Sequence, residues 1–164
     1  DAVQSIQRVL SYYAPHEQDE IRRVLSSNLR AVISQRLVPR ALGQGRVAAI
    51  EILVNTPTVR DLIIDPTKTS QIRNTIADGV SQYGMQSFDQ ALANLVKQQV
   101  ISTEDAIRFA TYPNELKLHL SGINDASNRA WASVEMGAVS RNSGGDSATP
   151  QGGGVPAWMD RTGT

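Results

Sequence analysis

The sequence has no cysteine. That absence removes disulfide frameworks, thiolate nucleophiles and cysteine-ligated zinc, and it fits a reducing compartment. An excess of either charge is also missing: 16 Lys and Arg balance 16 Asp and Glu, for a formal net charge of +0. Such a chain has no field to steer it toward nucleic acid or anionic lipid, so charge implies neither partner. No apolar run reaches membrane-spanning length, and Asp1-Ala2-Val3-Gln4 lacks the basic-then-apolar layout of a signal peptide. The chain therefore reads as soluble, cytosolic and without direct membrane insertion. What it does have is 164 residues with 40% apolar content, enough for one domain with a core, or one modest domain plus a tail.

Periodicity divides the chain. Val3, Ile6, Leu10 and Tyr13 fall on one helical face until Pro15 interrupts, and Ile21, Val24, Leu25 and Leu29 repeat that stripe from Glu17 onward. Glu17, Asp19 and Glu20 occupy the first turn of this second helix, where the helix dipole favours negative charge. From Ala31 the β-branched density rises. Ile50, Ile52 and Val54 alternate with Glu51 and Leu53, as in a strand that shows one face to a core, and a hairpin turn falls at Gly43 to Gly45.

Thr56 and Pro57 then open a helix, a Thr cap with proline at the first helical position. Ile72, Ile76 and Val80 share a later face, which Tyr83-Gly84 terminates. Ser87 with Gln90 forms a capping-box signature before Phe88, Leu92, Leu95 and Val96. Ser102-Thr103-Glu104-Asp105 starts a helix carrying Ala106, Ile107 and Ala110, and Pro113-Asn114-Glu115 starts another carrying Leu116 and Leu120. Beyond Ser121-Gly122 the character changes to a tail with one helix from about residue 125 to 136 and Gly/Ser-rich stretches such as Gln151-Gly152-Gly153-Gly154. Pro156, Trp158 and Met159 sit alone past that linker as a docking peptide or as incidental exposed residues.

Catalytic patterns are missing. Gly43-Gln44-Gly45 lacks the G-x-x-x-x-G-K-[ST] spacing of a phosphate loop and precedes a strand rather than a helix, so it reads as a turn. His16 and His119 are far apart and belong to no metal-ligand or acid–His spacing. Met85, Trp131 and Trp158 fit packing or docking. No catalytic, cofactor-binding or metal-binding residue emerges from the residues themselves.

Several segments in order do carry a likeness: Ala2-Val3-Gln4-Ser5-Ile6-Gln7-Arg8-Val9, Ile33-Ser34-Gln35-Arg36-Leu37, Gly45-Arg46-Val47-Ala48-Ala49-Ile50-Glu51-Ile52, Gly84-Met85-Gln86-Ser87-Phe88-Asp89-Gln90-Ala91-Leu92 and Pro113-Asn114-Glu115-Leu116. Together, over residues 1 to 121, they resemble the C-terminal part of the pilus-retraction ATPases, hexameric motors of type IV pili in the secretion ATPase superfamily. The resemblance implies an α+β fold. Residues 1 to 55 are then the C-terminal part of a RecA-like ATPase core, 56 to 122 a helical C-terminal domain and 123 to 164 the tail.

It further implies that the phosphate loop, the second acidic motif and the Asp and His boxes lie upstream, the chain starting just after the His box. ATP and Mg then belong to the full-length motor, and this chain alone is inactive. Retraction motors also carry a motif like A-I-R-N-L-I-R-E, needed for motor function, which here reads Thr58-Val59-Arg60-Asp61-Leu62-Ile63-Ile64-Asp65. Arg60, Leu62 and Ile63 agree, Val59 and Asp65 are conservative changes, and Thr58, Asp61 and Ile64 depart. Read without the family, Val59, Leu62 and Ile63 are core contacts of an amphipathic helix and Arg60 is a solvated charge.

Extension and type II secretion motors commonly insert a four-cysteine zinc module after a stretch like Gln35-Arg36-Leu37-Val38, whereas this chain passes from Pro39 to Gly45 in a few residues. The resemblance is thus to the retraction branch, whose partners are the rest of the motor, other copies in a hexamer and a platform protein at the cytoplasmic face of the inner membrane. Two other readings stand beside it: a free-standing interaction or regulatory protein related to the motor, and part of a zinc-free type II secretion or pilus-extension ATPase.

Overall fold

A computed structural model describes residues 1–122 of the chain. Helix α1 (Ala2–Leu10) opens on a capping box, with the Asp1 carboxylate accepting from the Gln4 amide and the Gln4 side chain reaching back. Val3, Ile6 and Leu10 form its buried face. Tyr13, expected on that face, is exposed instead. The amides of Tyr12 and Tyr13 bond back to the carbonyls of Val9 and Leu10, a tightened turn that ends the helix before Pro15.

Helix α2 (Gln18–Asn28) packs Ile21, Leu25 and the following Leu29 inward. Val24 faces solvent, contrary to the stripe read from the sequence, and the residues buried in its place are Arg22 and Ser26. The reason lies in hydrogen bonding: Arg22 has polar partners waiting on another helix, as described below.

Strands β1 (Ala31–Pro39) and β2 (Arg46–Val54) form an antiparallel hairpin, in register from Ala31 opposite Val54 to Pro39 opposite Arg46. Gly43 and Gly45 take φ of +83° and +96° in the connecting loop, backbone that a side chain would strain. On its other side β2 pairs briefly with Gln86, through Ile52 N–H to Gln86 O at 2.8 Å and Gln86 N–H to Ile52 O at 3.1 Å.

The alternation read along β2 is there, and its inward row includes a carboxylate. Ala49, Glu51 and Leu53 point inward and are buried, while Ile50, Ile52 and Val54 are half-buried on the other side. Side chains alternate strictly along a strand, so one inward position fixes the set. Burial of Leu53 and Ala49 in two separate cores carries Glu51 inside with them.

The rest is helical: α3 (Pro57–Ile64), a 3₁₀ turn (Thr69–Gln71), α4 (Ile72–Asp78), α5 (Val80–Tyr83), α6 (Phe88–Lys97), α7 (Thr103–Phe109) and α8 (Pro113–Leu120). Local signals set the starts: Thr56 caps α3, Ser87 and Gln90 make a full capping box on α6, Ser102 caps α7, and Pro113 sits in the first turn of α8. The face shared by Ile72, Ile76 and Val80 is interrupted at Gly79, so Val80 begins a separate turn that ends at Gly84 with φ of +65°.

Two hydrophobic cores result. One gathers α1, α3, α4, Leu53 and Met85; the other gathers Val38 and Ala49 of the hairpin with α6, α7 and α8. The inward row of β2 runs from one to the other, with Glu51 between. The architecture is the mixed helix-and-strand class expected. Among the described residues no helix is long and apolar enough to cross a membrane.

Candidate functional site

Helix α3 carries the segment that the sequence singles out. Thr56 is extended at φ −74° and ψ 167°, its hydroxyl accepts from the Val59 amide at 3.4 Å, and Pro57 presets the first helical turn. Spacing of three and four then puts Val59, Leu62 and Ile63 on one side, and all three are buried in the first core. Thr58, Arg60, Asp61 and Ile64 are exposed, and Arg60 takes part in none of the ion pairs of the described residues. Asp65 closes the helix. Its carboxylate accepts from the Thr67 hydroxyl at 2.6 Å and the Thr67 amide at 2.9 Å and pairs with Lys68 at 3.1 Å. The Thr67 hydroxyl first and then Lys68 hold the Asp65 carboxyl down at about 2.

Both ends of α3 are tied to α2. At the start, Asn55 Nδ2 donates to the carbonyls of Ser26 at 2.9 Å and Leu29 at 2.7 Å, capping the end of α2. At the finish, Arg22 Nη1 donates to the Ile63 carbonyl at 2.8 Å and to Thr69 Oγ1 at 3.0 Å. Asn55, just ahead of the α3 cap, thus supplies donors for the C-terminal carbonyls of α2, and Arg22 of α2 supplies one for the C-terminal carbonyl of α3, where the dipole is negative. The two helices run antiparallel, with the polar face of α3 outward.

A cleft of about 340 Å³ lies between the two cores, lined among others by Glu51, Arg73, Asp78, Asp89, Tyr112 and Glu115. Its buried acids already have partners. Glu51 Oε1 accepts from the Ala2 amide at 2.7 Å, and the two oxygens of Asp89 accept from the amides of Thr111 at 2.7 Å and Tyr112 at 2.9 Å. Arg73 reaches Asp1 at 3.1 Å. Arg36 supports the same loop, donating to the Phe109 carbonyl at 2.7 Å while its guanidinium lies 3.9 Å over the Phe88 ring. These groups are structural fasteners rather than an acid–base pair. Among the described residues no cluster of His, Asp and Glu could hold a metal ion.

The residues named from sequence are therefore divided by the helix itself. The apolar members of 58–63 anchor α3, and Thr58, Arg60 and Asp61 form its outer surface. His16 is exposed between α1 and α2, whereas His119 is buried on α8. Pro156, Trp158 and Met159, and the helix expected at 125–136, lie outside the described residues. Arg22, Asn55, Glu51 and Asp89 escaped the sequence reading. The one trace they leave is a polar residue inside an apolar pattern, such as Glu51 flanked by Ile50 and Ile52.

No family model matches the chain. It is 38% identical over 122 residues to the type IV pilus ATPase PilU of Pseudomonas aeruginosa, covering 72% of this chain and 30% of the relative. It is 40% identical over 109 residues to a twitching motility protein of Neisseria gonorrhoeae, covering 66% of this chain and 29% of that one. Among solved structures it matches the pilus retraction motor PilT with bound ADP, at a TM-score of 0.60 and 35% identity, over 70% of this chain and 31% of that chain. The chain spans about 30% of the length of the curated relatives it matches.

Proposed function

We propose that this chain, a homologue of the PilT and PilU type IV pilus ATPases over most of its length, is the C-terminal coupling and assembly portion of a hexameric ATP-driven motor that retracts type IV pili. The observation that carries the reading is the match to the retraction motor PilT in both sequence and fold over the same two-thirds of the chain. Residues 1 to 55 are assigned to the end of the RecA-like core and 56 to 122 to the helical domain. ATP and Mg are handled by the rest of the motor, which supplies the phosphate-binding groups that phosphoryl transfer requires. The ring works at the cytoplasmic face of the inner membrane against a platform protein.

The part played by this chain is mechanical. Helix α3 is anchored by Val59, Leu62 and Ile63 and turns Arg60, with Thr58 and Asp61, toward solvent. An exposed cation on an anchored helix can pass a subunit movement to whatever it touches without loosening its own fold. The test is replacement of the matching third of the gonococcal twitching motility protein by residues 1–122 of this chain, read as colony spreading. Spreading by the chimera supports the reading. A chimera that accumulates and assembles but leaves the cells immobile overturns it.

A further inference from the structure

Arg22 is buried to 8% exposure, and its guanidinium pairs with none of the carboxylates of the described residues. Its Nη1 donates instead to a helix-terminal carbonyl, that of Ile63, and to the Thr69 hydroxyl. A buried cation with only neutral acceptors is a poor source of stability, because desolvation offsets what its hydrogen bonds return. Both bonds leave one nitrogen whose two N–H directions are fixed in the rigid guanidinium plane, so the two acceptors must stand where those donors point. From this geometry we propose that Arg22 is a positioning residue for the coupling face of α3: it sets the angle and register at which Arg60 is presented and makes α2 and α3 move as one body.

The inference rests on α3 being the coupling helix of the motor. It is reinforced at the opposite end, where Asn55 holds the end of α2 through two bonds. With both ends tied, a shift of α2 is delivered to Arg60 undiminished. With the Arg22 end released, α3 retains its apolar anchors Val59, Leu62 and Ile63 but loses the constraint on its C-terminal turn, where Ile63 and Thr69 are fastened together. Lysine at position 22 keeps the positive charge near the α3 C-terminus, but its ammonium turns freely and lacks the fixed, in-plane N–H directions of the guanidinium.

The experiment compares Arg22→Lys, Arg60→Ala and the double variant in the full-length motor that carries this chain, measuring pilus retraction speed, ATP turnover per subunit and melting temperature. Arg22→Lys is expected to slow retraction by about fivefold or more. ATP turnover should stay within about twofold of the parent, with the melting temperature falling by less than about 8 °C. The double variant should be no slower than the slower single variant, because both changes act through one helix. Retraction and turnover falling in parallel, or losses that multiply in the double variant, would overturn the proposal. So would Arg60→Ala slowing the motor while Arg22→Lys runs at parental speed, an outcome that leaves the coupling role of α3 standing. Parental speed in Arg60→Ala would instead remove the coupling role itself and this inference with it. Where Arg22→Lys fails to accumulate, Thr69→Val removes one acceptor at nearly constant volume: slowed retraction with preserved turnover upholds the proposal, and parental speed overturns it.

Discussion

Glu51 Oε1 lies 2.7 Å from the backbone nitrogen of Ala2, across a sequence separation of 49 residues. This contact gives the carboxylate on the buried face of β2 its partner and ties the first turn of α1 to the strand. The α1 N-terminus has unpaired N–H groups and a positive dipole end, and Glu51 answers both. Replacement by Leu removes the acceptor and leaves the amide buried, so Glu51→Leu should lower the unfolding free energy by about 1–3 kcal/mol. Glu51→Gln keeps an acceptor and loses only the charge, at a cost of about 0.3–1 kcal/mol. Urea denaturation of the two variants checks the order; equal losses would show that shape rather than hydrogen bonding decides this site.

Gly79 is required for space rather than for backbone conformation. Its φ of −82° is open to any residue, but a Cβ there would stand 2.8 Å from Met85 Sδ and 2.9 Å from the Thr75 carbonyl oxygen. The sulfur can give way and the backbone oxygen cannot. Gly79→Ala should therefore destabilise by about 1–3 kcal/mol. Thermal melting decides it, and an unchanged or raised midpoint would contradict the tight approach.

Asp65 predicts an acid-side pH dependence. Its carboxyl is held at about 2, below the ordinary 3.8, by the Thr67 hydroxyl and by Lys68. A depressed carboxyl stabilises the fold above the unfolded value, and the contribution disappears as pH falls through the folded value. The difference in melting temperature between the parent and Asp65→Asn should thus be constant at neutral pH and shrink between about pH 4 and pH 2. A difference that persists below pH 2 would assign the effect to the turn's shape instead of its charge.

The purified chain should neither bind Mg-ATP tightly nor hydrolyse it. Charge stabilisation of phosphoryl transfer needs a lysine and clustered backbone N–H groups around the β- and γ-phosphates, and the sequence has no G-x-x-x-x-G-K-[ST] segment to provide them. Calorimetry with Mg-ATP measures this directly. Micromolar affinity or steady phosphate release would place a nucleotide site in the chain and end the division of labour proposed above.

What could be read from the sequence was whatever is decided within a few residues. The caps at Thr56, Ser87 and Ser102, the proline at 113, the turn glycines 43 and 45 and the stop at Gly84 are all local, and each stands where the pattern puts it. The errors come from partners distant in sequence. Arg22 finds its acceptors at Ile63 and Thr69, 41 and 47 residues away, and Glu51 finds its donor at Ala2, 49 residues away. Periodicity ranks residues by polarity and has no means of knowing that a distant acceptor or amide will satisfy a charge inside. Tyr13 failed for a different reason, a helix that tightens and stops one turn early. The same limit applies to α3: its inner face was legible from spacing, whereas the ties at Asn55 and Arg22 that fix its outer face were not.

The most direct measurement of the central claim follows individual fluorescently labelled pili in cells whose only retraction motor is the chimera bearing residues 1–122 of this chain. If the chain is the coupling portion of a retraction motor, labelled pili extend and then shorten, and Arg60→Ala in the same chimera makes shortening rare while the motor still assembles and turns over ATP. Pili that extend and never shorten, although the parental chimera is assembled and hydrolysing ATP, would contradict the account.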